Sequence, residues 1–180
     1  MVIYDRLIGN GDGYAELPIS MKAGWTYSWN VQYFEDRTNV QTTGMFASGG
    51  GASIYHSSYR EMRIWLDGAT SAIWSGFAGL EQLKFAPDGV YRNGVQISTF
   101  AITADPTTTI TLYKNVWGEI AMGDFVQLRS LEVLNAEGVL VHRFRPCKIG
   151  NAVGLFDEIG KLYAINVYTT NPLTVENDVE

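Results

Sequence analysis

Tyr55, Tyr59, Trp65 and Trp74 crowd one stretch of the chain, beside the run Gly49-Gly50-Gly51. Arg63 and Asp67 lie among them, and Asn39 and Gln41 lie upstream. The CH-rich face of a sugar stacks on amphipathic rings of this kind, while a few placed polar groups hold its hydroxyls. Trp65, Trp74, Tyr55, Tyr59, Arg63 and Asp67 are therefore the candidate glycan-binding set. The competing use of each ring is to fill a β-core or a subunit contact.

Other chemistries find less support. Retaining glycoside hydrolysis needs two carboxyl groups about 5–5.5 Å apart, which on one strand means alternate positions. Glu35-Asp36 and Asp157-Glu158 are adjacent instead, so in a strand their side chains diverge, and a turn separates Glu132 from Glu137. His56 and His142 are distant, and the single Cys147 cannot complete a zinc set. Gly49-Gly50-Gly51 lacks the Lys-Ser/Thr of a phosphate loop. The serines near His56 form no nucleophile elbow. No catalytic residue and no metal set is assigned.

The elements that must position the rings are strands. Trp25, Tyr27, Trp29, Val31 and Tyr33 alternate with Thr26, Ser28, Asn30 and Gln32, a period of two with one apolar face. Glu61–Leu66 alternates in the same way, and Leu131–Leu134 and Val139–Val141 are more continuously apolar. Asn93-Gly94 between Tyr91-Arg92 and Val95-Gln96 predicts a hairpin with positive φ at both central residues. Asp67-Gly68, Asp88-Gly89 and Glu137-Gly138 punctuate further segments. No helical stripe extends over twelve residues, and one helical turn is expected near Gly79 to Leu83. Pro146 is expected to end the strand that begins at Val139.

Composition bounds the answer. The 180 residues suit one domain, predicted over 1–172, followed by an acidic exposed tail over 173–180. Five Trp and ten Tyr raise the aromatic share to 13%, which favours strands. A net charge of −6 without a basic, aromatic-laced patch argues against nucleic acid. Arg143 and Arg145 share one strand face, to be paired with carboxylates or offered to an acidic partner. One cysteine allows no internal disulfide, and a buried thiol is expected at Cys147. Met1–Arg6 does not read as a signal peptide, and no apolar run is long enough to cross a membrane.

Two segments carry a resemblance. Gly138–Cys147 together with Gly154–Tyr163 resembles the closing segment of LamG-like, concanavalin A-like domains, and Gly11–Pro18 is similar to their first hairpin. Such domains are frequent in structural and tail-associated proteins of bacteriophages and prophages. The resemblance implies an all-β, two-sheet antiparallel jelly-roll sandwich. It implies a non-catalytic virion protein, made in the host cytoplasm, that binds neighbouring virion proteins and host-surface polysaccharide as a homo-oligomer or symmetric array. The alternatives are a stand-alone lectin and, behind it, a glycoside hydrolase, although the Glu-x-Asp-x-Glu run of related glucanases is absent. No cofactor is implied. Calcium is the one metal the resemblance allows, near Asn10-Gly11-Asp12-Gly13. Where phage-type relatives carry Arg-Asp-Phe, this chain has His142-Arg143-Phe144.

Overall fold

The structure is a computed structural model. It describes residues 1–9, 14–33, 43–48, 52–57, 61–66, 69–74, 79–103, 105, 109–113, 126–165 and 173–178, with backbone course and pairing alone for the stretches between 43 and 74. Among them there is no helix. In chain order the strands are β1 (Val2–Ile3), β2 (Arg6–Ile8), β3 (Ala15–Ser20), β4 (Thr26–Tyr33), β5 (Thr43–Ser48), β6 (Ala52–Ser57), β7 (Glu61–Leu66), β8 (Ala69–Trp74) and β9 (Gly79–Ala86). They continue as β10 (Gly89–Arg92), β11 (Val95–Ser98), β12 (Thr109–Leu112), β13 (Val126–Leu134), β14 (Leu140–Ile149), β15 (Ala152–Asp157), β16 (Tyr163–Ile165) and β17 (Thr174–Glu176).

They form two antiparallel sheets. The larger runs β11-β10-β9-β4-β13-β14-β15-β16, with β1 added on β14 and with β2 joining β13 to β17. The smaller runs β3-β12-β5-β6-β7-β8. The chain crosses repeatedly between them, because each sheet has one apolar face to bury and each can cover the other. Tyr27, Trp29 and Val31 of β4 and Leu131 and Val133 of β13 share one core with Ala15 and Leu17 of β3 and Ile110 and Leu112 of β12. Each fully buried large side chain contributes about 1.5–3 kcal/mol. Tyr113 fastens the layers: its buried hydroxyl donates to Leu7 O at 2.6 Å and accepts from Leu128 N at 3.1 Å. Burial pushes that phenol well above its ordinary pKa.

Local expectations meet two outcomes. The hairpin at Asn93-Gly94 forms with φ of 49° and 80°, and Asn93 Oδ1 also accepts from Gln82 N at 2.8 Å. Gly89, at φ 142°, has no room for a side chain, since a Cβ would sit 2.2 Å from Ser98 O. By contrast, the helical turn expected at Gly79 to Leu83 is part of strand β9, whose Leu83 and Phe85 point into the core. Tertiary burial of an alternating pattern overrides the local preference.

Pro146 does not end its strand: β14 continues to Ile149. Its missing N–H falls in a gap between neighbours, because pairing with β13 begins at Phe144 and pairing with β1 begins at Cys147. Pro18, in turn, lies on edge strand β3.

The stretch 173–180, expected to be an exposed tail, is in part structural. Leu173 is 1% exposed, and Thr174–Glu176 form β17 against β2. An apolar anchor and an open strand edge outweigh the acidic composition.

Candidate functional site

The outward face of the large sheet carries the described residues best arranged for binding. Register alone lines up its polar side chains in rows. One row crosses five strands as Tyr91, Lys84, Ser28, Glu132 and Arg143. The next row is Gln82, Asn30 and Ser130. These are the outward alternates of the apolar positions that build the core, as strand periodicity requires.

Within the rows the groups are ordered by one another. Asn30 Nδ2 donates to Ser130 Oγ at 2.8 Å, and Gln82 Nε2 approaches Asn30 Oδ1 at 3.5 Å. Arg143 Nε donates to Glu132 Oε1 at 2.9 Å. Lys84 Nζ lies 4.1 Å from the centre of the Tyr91 ring, close enough for a cation–π contact.

A bulge brings a third arginine into the same face. The register between β13 and β4 shifts between Leu128 and Ser130, which leaves Arg129 as the extra residue. A bulge of this kind re-aims a side chain and twists its strand. Arg129 donates to Gln32 Oε1 from Nε at 2.9 Å and from Nη2 at 2.6 Å, and Nη2 also contacts both oxygens of Asp178 at 2.7 Å. Asp178 in turn lies 3.3 Å from Arg6 Nε, and its backbone N–H donates to Asp5 Oδ2 at 3.0 Å. The chain end thus closes one side of the face.

The result is an open groove of ≈ 410 Å³, lined by Asn30, Ser130, Glu132, Arg129, Arg143 and Arg145 together with Asp5 and the exposed Leu80. Arg143 and Arg145 flank the buried Phe144 on one strand, so they do share a face. Among the described residues Arg145 has no hydrogen-bond or ion-pair partner. The groove therefore presents amide, hydroxyl, carboxylate and guanidinium groups side by side, a set suited to a polyhydroxylated ligand.

The predicted aromatic set lies in the other sheet. Tyr55 in β6 is the register partner of Arg63 in β7. Trp65 pairs with Ser53 on one side and Thr70 on the other, and Trp74 in β8 pairs with Met62. These four positions thus occupy three consecutive strands. Tyr59, Asp67, Asn39 and Gln41 lie outside the described residues, as do Gly49-Gly50-Gly51 and the Asn10–Gly13 stretch. Among the described residues no group of three His, Cys, Asp or Glu is placed to hold a metal.

Part of the groove is legible in the sequence: Asn30 is one of the polar alternates of β4, and Arg143 and Arg145 share one face. Nothing in the sequence indicated that β13 lies between β4 and β14 and so brings these positions together.

Asp157, by contrast, is a structural carboxylate. It is fully buried, with Oδ2 2.7 Å from His142 Nδ1, while Oδ1 accepts from the backbone of Arg143 and Ile159, each at 3.0 Å. Burial alone would raise its pKa. The hydrogen bonds from His142 and from the backbone of Arg143, Gly160 and Ile159 outweigh this and hold the carboxyl below its ordinary range. His142 thus ties β14 to the turn after β15. Cys147 is a free, buried thiol whose pKa burial pushes up.

No protein-family model and no curated protein sequence matches the chain. Among solved structures, it is similar to a provisionally assigned carbohydrate binding protein from Bacteroides ovatus ATCC 8483, with a TM-score of 0.61 and 11% identity. The match covers 97% of this chain and 61% of that one, so the chain spans less than two thirds of its neighbour's length. At this identity the likeness is one of fold: two antiparallel sheets packed as a β-sandwich.

Proposed function

We propose that this domain binds carbohydrate without cleaving it, in the groove on the outer face of the large sheet. The observation that carries the reading is the convergence there of Asn30, Ser130, Glu132 and the arginines around ≈ 410 Å³ of open space. Sugars present both donors and acceptors, and preordered amide, hydroxyl and charged groups match them at little entropic cost. The fold shared with a provisionally assigned carbohydrate binding protein supports the same reading. A non-catalytic role is supported by the state of the carboxylates: Glu132 is engaged by Arg143, and Asp5 by the backbone of Asp178. Titration of the intact protein against a glycan array, repeated with Asn30→Ala and Ser130→Ala, tests this. Binding that both substitutions weaken supports the groove. Binding that neither changes removes it.

The jelly-roll strand path of concanavalin A-like domains and a place on a phage virion, as a homo-oligomer or array among other virion proteins, belong to the same proposal. Their support is the sequence resemblance of Gly138–Cys147 and Gly154–Tyr163. Repetition on a particle would add avidity to an open site. Mass spectrometry of purified particles tests the virion setting: fixed stoichiometry supports it, and absence defeats it.

A further inference from the structure

We infer that the groove selects acidic saccharides, with the guanidinium of Arg145 taking a sugar carboxylate. This rests on the saccharide reading of the same groove and narrows it to a substrate class.

The arginines of the groove differ in their partners. Three arginines line the groove. Arg129 is held by Asp178 and Gln32. Arg143 is held by Glu132. Arg145 alone of the three has no acceptor among the described residues, and it stands half-buried on the same strand face as Arg143. A guanidinium in such a position is a preorganised fork for a planar oxyanion.

The protein itself displays the chemistry. Asp178 is a carboxylate from a distant part of the chain, and it lies at 2.7 Å on Arg129 at the edge of this groove. A ligand carboxylate on Arg145 would repeat that contact next door. The Asn30 amide and Ser130 hydroxyl would then meet ring hydroxyls, and exposed Leu80 would meet a CH face. The whole protein carries a net charge of −6, so it does not attract polyanions at long range. Selection must therefore come from the local fork, which favours a carboxylate in one geometry over negative charge in general.

Calorimetry on the intact protein tests this with matched probes: oligogalacturonate, oligomannuronate and oligosialate, each against its carboxyl-reduced counterpart, with polyglutamate as a non-sugar polyanion. The expected result is that at least one acidic oligosaccharide binds about tenfold or more tightly than its reduced form. Arg145→Gln should erase that difference with an unchanged melting temperature, and Arg145→Lys should keep part of it. Equal binding of acidic and reduced forms overturns the acid preference and leaves the saccharide reading standing. An Arg145→Gln variant that retains the preference also overturns the inference, as does polyglutamate binding as tightly as the sugars. If none of the acidic or reduced probes binds, the inference falls, and the glycan array decides the saccharide reading independently.

Discussion

One nitrogen of the Arg129 guanidinium contacts both carboxylate oxygens of Asp178 at 2.7 Å. Arg129 is the bulged residue of a central strand, and Asp178 lies just beyond the last strand. The contact joins the end of the chain to the middle of the large sheet and to the edge of the candidate groove. Leu173 lies buried upstream of it, and Glu176 and Asp178 both reach Arg6.

Truncation after Pro172 should therefore destabilise the protein. It removes the burial of Leu173, worth about 2–5 kcal/mol by the usual cost of deleting a buried leucine, together with the β17 ladder. A loss of about 3–5 kcal/mol and a melting temperature lower by about 10 °C are expected. Asp178→Asn should cost less than about 1 kcal/mol, because that ion pair is partly exposed. Urea denaturation of the two variants separates the apolar anchor from the charge pair.

The Asp157 carboxylate makes stability depend on acid. Its folded pKa lies below the unfolded value of about 3.9, so its contribution is complete above that pH. It is lost as pH falls through the lowered folded value. At neutral pH, Asp157→Asn should cost about 2–3 kcal/mol, since it removes a buried charged acceptor from His142 and the backbone. Below about pH 4 the gap between the two proteins should narrow. Denaturation midpoints measured from pH 7 to pH 2.5 check the sign.

Gly160 is required by the same cluster. A Cβ at that position would lie 2.3 Å from Asp157 Oδ2 and 3.1 Å from His142 Nδ1. Gly160→Ala should cost about 2 kcal/mol or more by breaking a buried hydrogen-bonded network. The double variant Gly160→Ala, Asp157→Asn should lose less than the sum of the two single losses, because both act on one contact. A double-mutant cycle reads this coupling.

The two candidate sugar platforms make opposite predictions. If the groove binds, Asn30→Ala should weaken glycan affinity about five- to tenfold, by loss of a hydrogen bond of roughly 1 kcal/mol. Trp74→Ala, in the other sheet, should then leave affinity unchanged. The reverse pattern assigns binding to the aromatic set of Tyr55, Arg63, Trp65 and Trp74. Calorimetry with a single glycan from the array is sufficient.

Much of this architecture is legible in local pattern. The alternation from Trp25 to Tyr33 dictates a strand with Tyr27, Trp29 and Val31 inward and Ser28, Asn30 and Gln32 outward, because side chains alternate across a strand whatever it pairs with. Asn93-Gly94 dictates its hairpin, since positive φ at both positions suits those two residues. Such features depend on neighbours in the chain.

What the tertiary structure alone decided depends on partners far away. Asn30 meets Ser130 because β4 lies beside β13, and Glu132 meets Arg143 because β13 lies beside β14. The bulge at Arg129, the passage of β14 through Pro146 and the capture of 173–178 against β2 are likewise set by which edge each segment finds. A one-residue change of register would turn every such side chain to the opposite face. Composition along the chain carries the faces of strands, but strand order and register arise from the joint burial of two sheets, and the groove exists only at that level.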